Sequence, residues 1–198
     1  MNYEIVNLFP VLVMRFPNFL ESSKCDLLVD TYKNMASKHD YFTNDANCSH
    51  GSNSCIIDDI TNTIRGFEDF SSRINDTLLR YSDVTGFLPT KITNSWFNIQ
   101  RKGSALHDHM HPLSYVSGCL YLSVPEGSNN IIFSNPSQIP CFIPKQTDTV
   151  YSCETYWMKP SKGELILFPG WIKHGSNGHE NNSDNRATIS FNSMTYED

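Results

Sequence analysis

The stretch His107-Asp108-His109-Met110-His111-Pro112 puts three of the chain's seven histidines at alternate positions. Successive side chains of a strand point to opposite faces, so this spacing predicts that His107, His109 and His111 face one way. Three imidazoles on one face, with no lysine among them, form a donor set for a borderline metal such as iron, zinc or nickel. A polar surface strand is the plain alternative; it suits a single histidine better than three. A second element is His174, just past the apolar run Glu164-Leu165-Ile166-Leu167-Phe168-Pro169 and between Gly170 and Gly175. A histidine beyond a buried strand is held on rigid framework without being enclosed. It can therefore supply the distant third ligand of a facial metal site.

Arg186 follows His174 by twelve residues, in Arg186-Ala187-Thr188-Ile189-Ser190-Phe191-Asn192. On an alternating strand Arg186, Thr188 and Ser190 share a face, and a guanidinium flanked by hydroxyls can grip a carboxylate through paired hydrogen bonds. Taken alone, Arg186 is as well explained as a surface residue at a strand start. The order of the three elements is what points to a site: a histidine pair, a distant histidine, then a carboxylate clamp.

These residues need strands to hold them, and the second half of the chain supplies the pattern. After Gly86, short β-rich runs are bounded by Gly, Pro, Asn and Ser, at 95–100, 115–124, 131–134, 149–157, 164–168 and 187–193. Several short strands with turn residues between them predict a sandwich or barrel. The first half reads differently. Residues 22–38 place Cys25, Leu27, Leu28, Tyr32 and Met35 at helical spacing, with Ser22 or Ser23 as the N-cap. Residues 59–81 do the same with Ile60, Ile64, Phe67, Phe70, Ile74, Leu78 and Leu79. The polar segment 40–53 reads as a loop, and the apolar start near Val11-Leu12-Val13 as a strand. The expectation is one domain over 1–198. In it an N-terminal strand and packing helices (1–90) flank a jelly-roll core with the metal site (91–198).

A length of 198 residues suits one well-packed domain, and 39% hydrophobic with 18% charged residues is an ordinary globular composition. The net charge of -6, with basic residues scattered, argues against general nucleic-acid or anionic-membrane affinity. The apolar pieces of the first twenty residues are too short to span a bilayer and lack the basic leader of a secretory signal. No nucleic-acid or membrane partner is expected, and the expected location is the cytoplasm. Six cysteines show no metal-finger spacing, so reduced thiols are the default. Cys48 and Cys55 flank a polar loop, but reduced thiols stay the expectation there too, and Cys119 reads as a small core residue.

The chain resembles the 2-oxoglutarate/Fe(II) oxygenase superfamily. The resemblance runs over residues 96–192 and rests on several marks together. These are Trp96-Phe97-Asn98, Gly103, His109-Met110-His111-Pro112, Ser117-Gly118-Cys119-Leu120-Tyr121-Leu122, Leu167-Phe168-Pro169-Gly170 with His174, and the run from Arg186 to Asn192. Within the superfamily it is most similar to a phage and marine-bacterial subgroup with His-x-His-Pro. The resemblance implies a double-stranded β-helix (jelly roll), mainly β with flanking α-helices, holding Fe(II) through His109, His111 and His174. It also implies 2-oxoglutarate as cosubstrate, held at its far carboxylate by Arg186, with Thr188 or Ser190 assisting and Tyr121 and Asn98 lining the pocket. The reaction it implies is hydroxylation of an unidentified substrate by O2, with release of succinate and CO2. One departure is evident: the superfamily's usual carboxylate position holds His111. A register that uses His107 and His109 stays open at this level, as do a three-His cupin-like enzyme without 2-oxoglutarate and a non-enzymatic metal-binding jelly roll. Trp96, Trp157 and Trp171 read as packing residues.

Overall fold

The computed structural model describes residues 2–39, 43–44, 52–57, 70–137 and 149–195. Two helices lie behind one face of a seven-stranded antiparallel sheet, and a three-stranded sheet stands opposite its other face. The elements in chain order are β1 (Met14–Phe16), α1 (Ser22–His39), β2 (Thr43–Asn44), β3 (Ser52–Ile57), α2 (Phe70–Thr85) and β4 (Thr90–Gln100). They continue with β5 (Val116–Ser123), β6 (Ile131–Ser134), β7 (Thr155–Met158), β8 (Leu165–Pro169), β9 (His174–Gly175) and β10 (Arg186–Thr195). The large sheet runs β1-β8-β5-β10-β4-β3-β2 and the small one β7-β6-β9. This is the double-stranded β-helix expected from the sequence.

Strand alternation divides the large sheet into two chemical faces. Phe97 and Ile99 of β4, Leu120 and Leu122 of β5, Leu165 and Leu167 of β8, and Ile189 and Phe191 of β10 form one buried cluster with the helices. The opposite positions, Cys119, Tyr121, Ile166 and Phe168, join Ile131 and Phe133 of β6 in a second cluster between the sheets. Strands β5 and β8 are thus covered on both sides, which is why they read as almost continuous apolar runs. Gly118 lies directly opposite Phe191 on β10. A Cβ there would stand 2.2 Å from the Phe191 ring, so the glycine makes room for the aromatic side chain.

Helix α1 buries Cys25, Leu28, Val29 and Tyr32, a single stripe at i, i+3, i+4 and i+7. Tyr32 stacks on Phe97 at 4.8 Å. Leu27, expected on that stripe, is 53% exposed. The first helical bond runs from Cys25 N–H to the Glu21 carbonyl, so Glu21 is the N-cap in place of Ser22 or Ser23. Helix α2 buries Phe70, Ile74, Leu78 and Tyr81 and leaves Leu79 largely outside. It ends on Gly86 at φ 71, whose N–H caps the Ser82 carbonyl. The first part of the predicted 59–81 helix lies outside the described residues, as does Cys48.

Other expectations shift. The predicted loop at 40–53 contains β2 and the start of β3, which pairs with β4 from Ser52 to Ile57. A polar sequence can serve there because the ladder bonds are made by backbone. The predicted strand at 149–157 shortens to β7. Its first residues turn instead, closed by Cys153 N–H to the Thr149 carbonyl at 2.9 Å and by the Thr149 and Ser152 hydroxyls at 2.7 Å. At the other edge, Arg15 of β1 pairs with the buried carboxylate of Glu164 at 2.6 Å, tying the N-terminal strand to the entry of β8. The described cysteines Cys25, Cys119 and Cys153 are free thiols. No described helix is long and apolar enough to cross a membrane.

Candidate metal centre

The 107–111 segment is not a regular strand. It touches the small sheet at one place, where His109 and His174 exchange both backbone bonds at 2.9 Å. Nearby, Ser176 N–H donates to the Leu106 carbonyl and Leu106 N–H donates to the Ser176 hydroxyl. These contacts lay the segment beside β9, so the small sheet gains a fourth, irregular member. Two residues further on, His111 N–H donates to the Gly170 carbonyl at 2.8 Å, which fixes His111 against the turn after β8.

This irregularity selects among the three alternating histidines. His109, His111 and His174 bring one ligand-capable atom each within 4.8 Å of one another, a group of the size a single ion requires. Their ring centroids are 4.6 to 5.2 Å apart. His107 is exposed and outside the group. Its part is played by its backbone, because its carbonyl lies 2.7 Å from His109 Nδ1. The Ile172 carbonyl lies 3.0 Å from His174 Nδ1 in the same way. A carbonyl accepts only, so each Nδ1 carries the proton and each Nε2 keeps its lone pair for a metal. Burial holds His174 neutral, with its pKa pushed down to about 3. A neutral His174 with its Nδ1 proton fixed fits a divalent cation.

Asp108 turns away, as expected of the residue between two same-facing neighbours. Its carboxylate accepts from Asn177 N–H at 3.0 Å and sits where a Cβ on Gly175 would be, 2.5 Å from that position. Glycine at 175 therefore lets the 106–109 segment lie close to β9. Gly170 has the same use, since a Cβ there would stand 2.1 Å from the Ser114 carbonyl.

The rings around the histidines connect the site to the space between the sheets. Phe168 stacks on His174 at 4.5 Å and belongs to the same cluster as Tyr121. Arg186 lies over the Tyr121 ring, 5.2 Å from its centroid. Arg186 is 8% exposed and has no ion pair among the described residues. Its Nη1 donates to Gln100 Oε1 at 2.5 Å, and its Nε is buried without a hydrogen-bond partner. A buried permanent charge with an unsatisfied donor favours an anion, and a ligand carboxylate fits it.

Register places the other expected residues on this face. Arg186 is opposite Gln100, and Thr188 is opposite both Asn98 and Tyr121. Thr188, Ser190 and Tyr121 gather around the Cys119 thiol, with Ser190 Oγ at 3.8 Å from its sulfur. Burial pushes the Cys119 thiol and the Tyr121 phenol up, so both are neutral donors. Gln100 was missed from sequence, although Trp96, Asn98 and Gln100 alternate onto one face. Trp96 faces the site, with its ring 5.7 Å from that of His111. Trp157 and Trp171 are about half exposed rather than packed.

Comparison with known proteins adds to this geometry. The family described as "Putative 2OG-Fe(II) oxygenase" matches residues 94–192, half of the chain. No curated protein matches. Among solved structures, a Pseudomonas putida prolyl-4-hydroxylase superposes with a TM-score of 0.66 at 11% identity, covering 93% of each chain. HygX from Streptomyces hygroscopicus, with nickel and 2-oxoglutarate bound, superposes with a TM-score of 0.61 at 13% identity, over 93% of this chain and 83% of that one. The viral collagen prolyl hydroxylase of Paramecium Bursaria Chlorella virus-1, in complex with 2OG, gives 0.59 at 12% identity, over 93% and 96%. At these identities the likeness is one of fold.

Proposed function

Since this chain belongs to the 2OG-Fe(II) oxygenase family, we propose that it hydroxylates a substrate, with His109, His111 and His174 holding the iron and Arg186 holding the cosubstrate. Bound iron and 2-oxoglutarate supply the oxidising power, drawn from O2 as the cosubstrate is converted to succinate and CO2. The chain's residues bind and orient. His109 and His174 through Nε2, and His111 through a ring nitrogen, would hold the ion, which would have room for further ligands such as the cosubstrate. Arg186 Nε and the neighbouring Thr188 hydroxyl donate to the far carboxylate, while Gln100 keeps the guanidinium from turning. Asn98 lies beside Thr188 and Tyr121 floors the pocket beneath Arg186, so both line the cosubstrate. The apolar rings of Phe168 and Phe133 keep water from His174.

The observation that carries this reading is the buried Arg186, with an unpartnered Nε, set over Tyr121 of the cluster whose Phe168 packs on His174. A three-His enzyme without 2-oxoglutarate would need the histidines but not this cation. The test is an anaerobic titration with Fe(II) and then 2-oxoglutarate. The expected result is a visible metal-to-ligand charge-transfer band that appears only with both. Metal binding without that band would favour the three-His cupin-like reading.

A further inference from the structure

Resting on that reading, we infer that the neutral side chain of His111, standing where a carboxylate would compensate the metal's charge, strengthens the mutual dependence of metal and 2-oxoglutarate binding at this site. The charges are unusually one-sided. A two-His, one-carboxylate set gives a divalent ion one compensating negative charge; His109, His111 and His174 give none. Arg186 adds a buried positive charge between the same sheets. The nearby carboxylates of the described residues are engaged elsewhere. Asp108 accepts from Asn177 N–H, and Glu164 is paired with Arg15. Phe133 and Phe168 pack on the buried His174, so charge on that side of the site is screened less than in water.

A cation bound to this set alone leaves a net charge of +2 at the metal, and the guanidinium over Tyr121 keeps its unsatisfied donor. A keto-dicarboxylate lowers both at once, one carboxylate bringing the metal to a net +1 and the other pairing with Arg186. Each ligand therefore favours the other, and by thermodynamic linkage the factor is the same in both directions. With a carboxylate at position 111 part of the compensation would already be present before the cosubstrate arrives, and the factor would shrink.

The experiment measures Mn(II) affinity of the full chain, which binds without turnover, with and without saturating 2-oxoglutarate. For the wild type, the dissociation constant should fall by about 100-fold on adding 2-oxoglutarate, the upper part of the usual range for coupled sites. For His111→Asp the metal alone should bind more tightly than it does to the wild type, and the coupling factor should drop below about tenfold. His111→Asn, neutral like imidazole, should keep a large factor even though its metal affinity falls, which separates charge from loss of a ligand. If His111→Asp does not fold by circular dichroism, His111→Glu carries the same charge and takes its place. Equal factors in the wild type and the acidic variant overturn the inference. So does a wild-type factor near one. In that case the Fe(II) charge-transfer band decides whether the cosubstrate reading stands without the inference or falls with it.

Discussion

At the scale of single residues, the division of labour among the alternating histidines follows from what each backbone does. His107 lends its carbonyl to the ring of His109 and leaves its own ring in solvent, so only its backbone serves the group. His107→Ala should leave Mn(II) or Fe(II) affinity within about twofold of wild type, whereas His174→Ala should reduce it beyond detection; calorimetric titration distinguishes these outcomes. Loss of affinity in His107→Ala comparable to that in His174→Ala would move the ligand set. Arg186 yields a separate expectation, because its charge cannot be titrated away. Arg186→Ala should raise the 2-oxoglutarate concentration needed for half-saturation by about 100-fold or more while metal affinity in the absence of cosubstrate changes little. Arg186→Lys should recover part of that loss, since it keeps the charge and loses the fork. An alanine variant that consumes 2-oxoglutarate normally would leave the oxygenase reading resting on the histidines.

Between residues and fold, the site depends on how closely the 106–111 segment approaches β9 and the turn after β8. Glycines set that distance. Gly175→Ala would push its methyl group into Asp108 and toward the Leu106 carbonyl, at 2.5 and 2.9 Å. The segment must then move by a few tenths of an ångström or more, and His109 moves with it. We expect Gly175→Ala to keep its circular dichroism spectrum but to lose about tenfold or more in metal affinity, the scale seen when ligand-orienting partners are removed. Unchanged affinity would mean that the histidines tolerate the shift. The same reasoning explains why β-propensity misjudged residues 149–153. Thr, Val and Tyr favour strands only when an edge is available to pair with, and here the local turn bonds supply the partners instead.

For the molecule as a whole, the helices serve the site indirectly by burying the rear of the sheet that carries Arg186, Gln100 and Tyr121. Phe97 is fully buried against Tyr32, so Phe97→Ala should cost about 3–5 kcal/mol of folding stability, read by urea denaturation. The loss should exceed that of Arg15→Ala. That substitution leaves the buried Glu164 with the Ser161 N–H as a remaining partner and should cost about 1–2 kcal/mol. The reverse order would mean that the N-terminal strand, rather than the helix layer, holds the large sheet together.

Much of this architecture is written in local patterns. β6 falls on residues 131–134 as the apolar run predicts, because three buried residues between turn-formers leave the backbone little choice. The grouping of Arg186, Thr188 and Ser190 on one face follows from a period of two, and so does the spacing of His109 and His111. Choices that depend on distant partners are not legible there. That His109 rather than His107 meets His174 depends on a single backbone bridge across 65 residues of chain. That Arg186 is buried with one donor satisfied depends on Gln100, brought opposite it only by the register of β4 and β10. The polar residues Ser52 to Ser54 become a strand because β4 offers an open edge, which their own sequence does not announce. Side-chain periodicity is a property of the chain segment and survives in the sequence. Register and edge pairing are set by which strands meet, and that information exists only once the sheets have closed around their two apolar clusters.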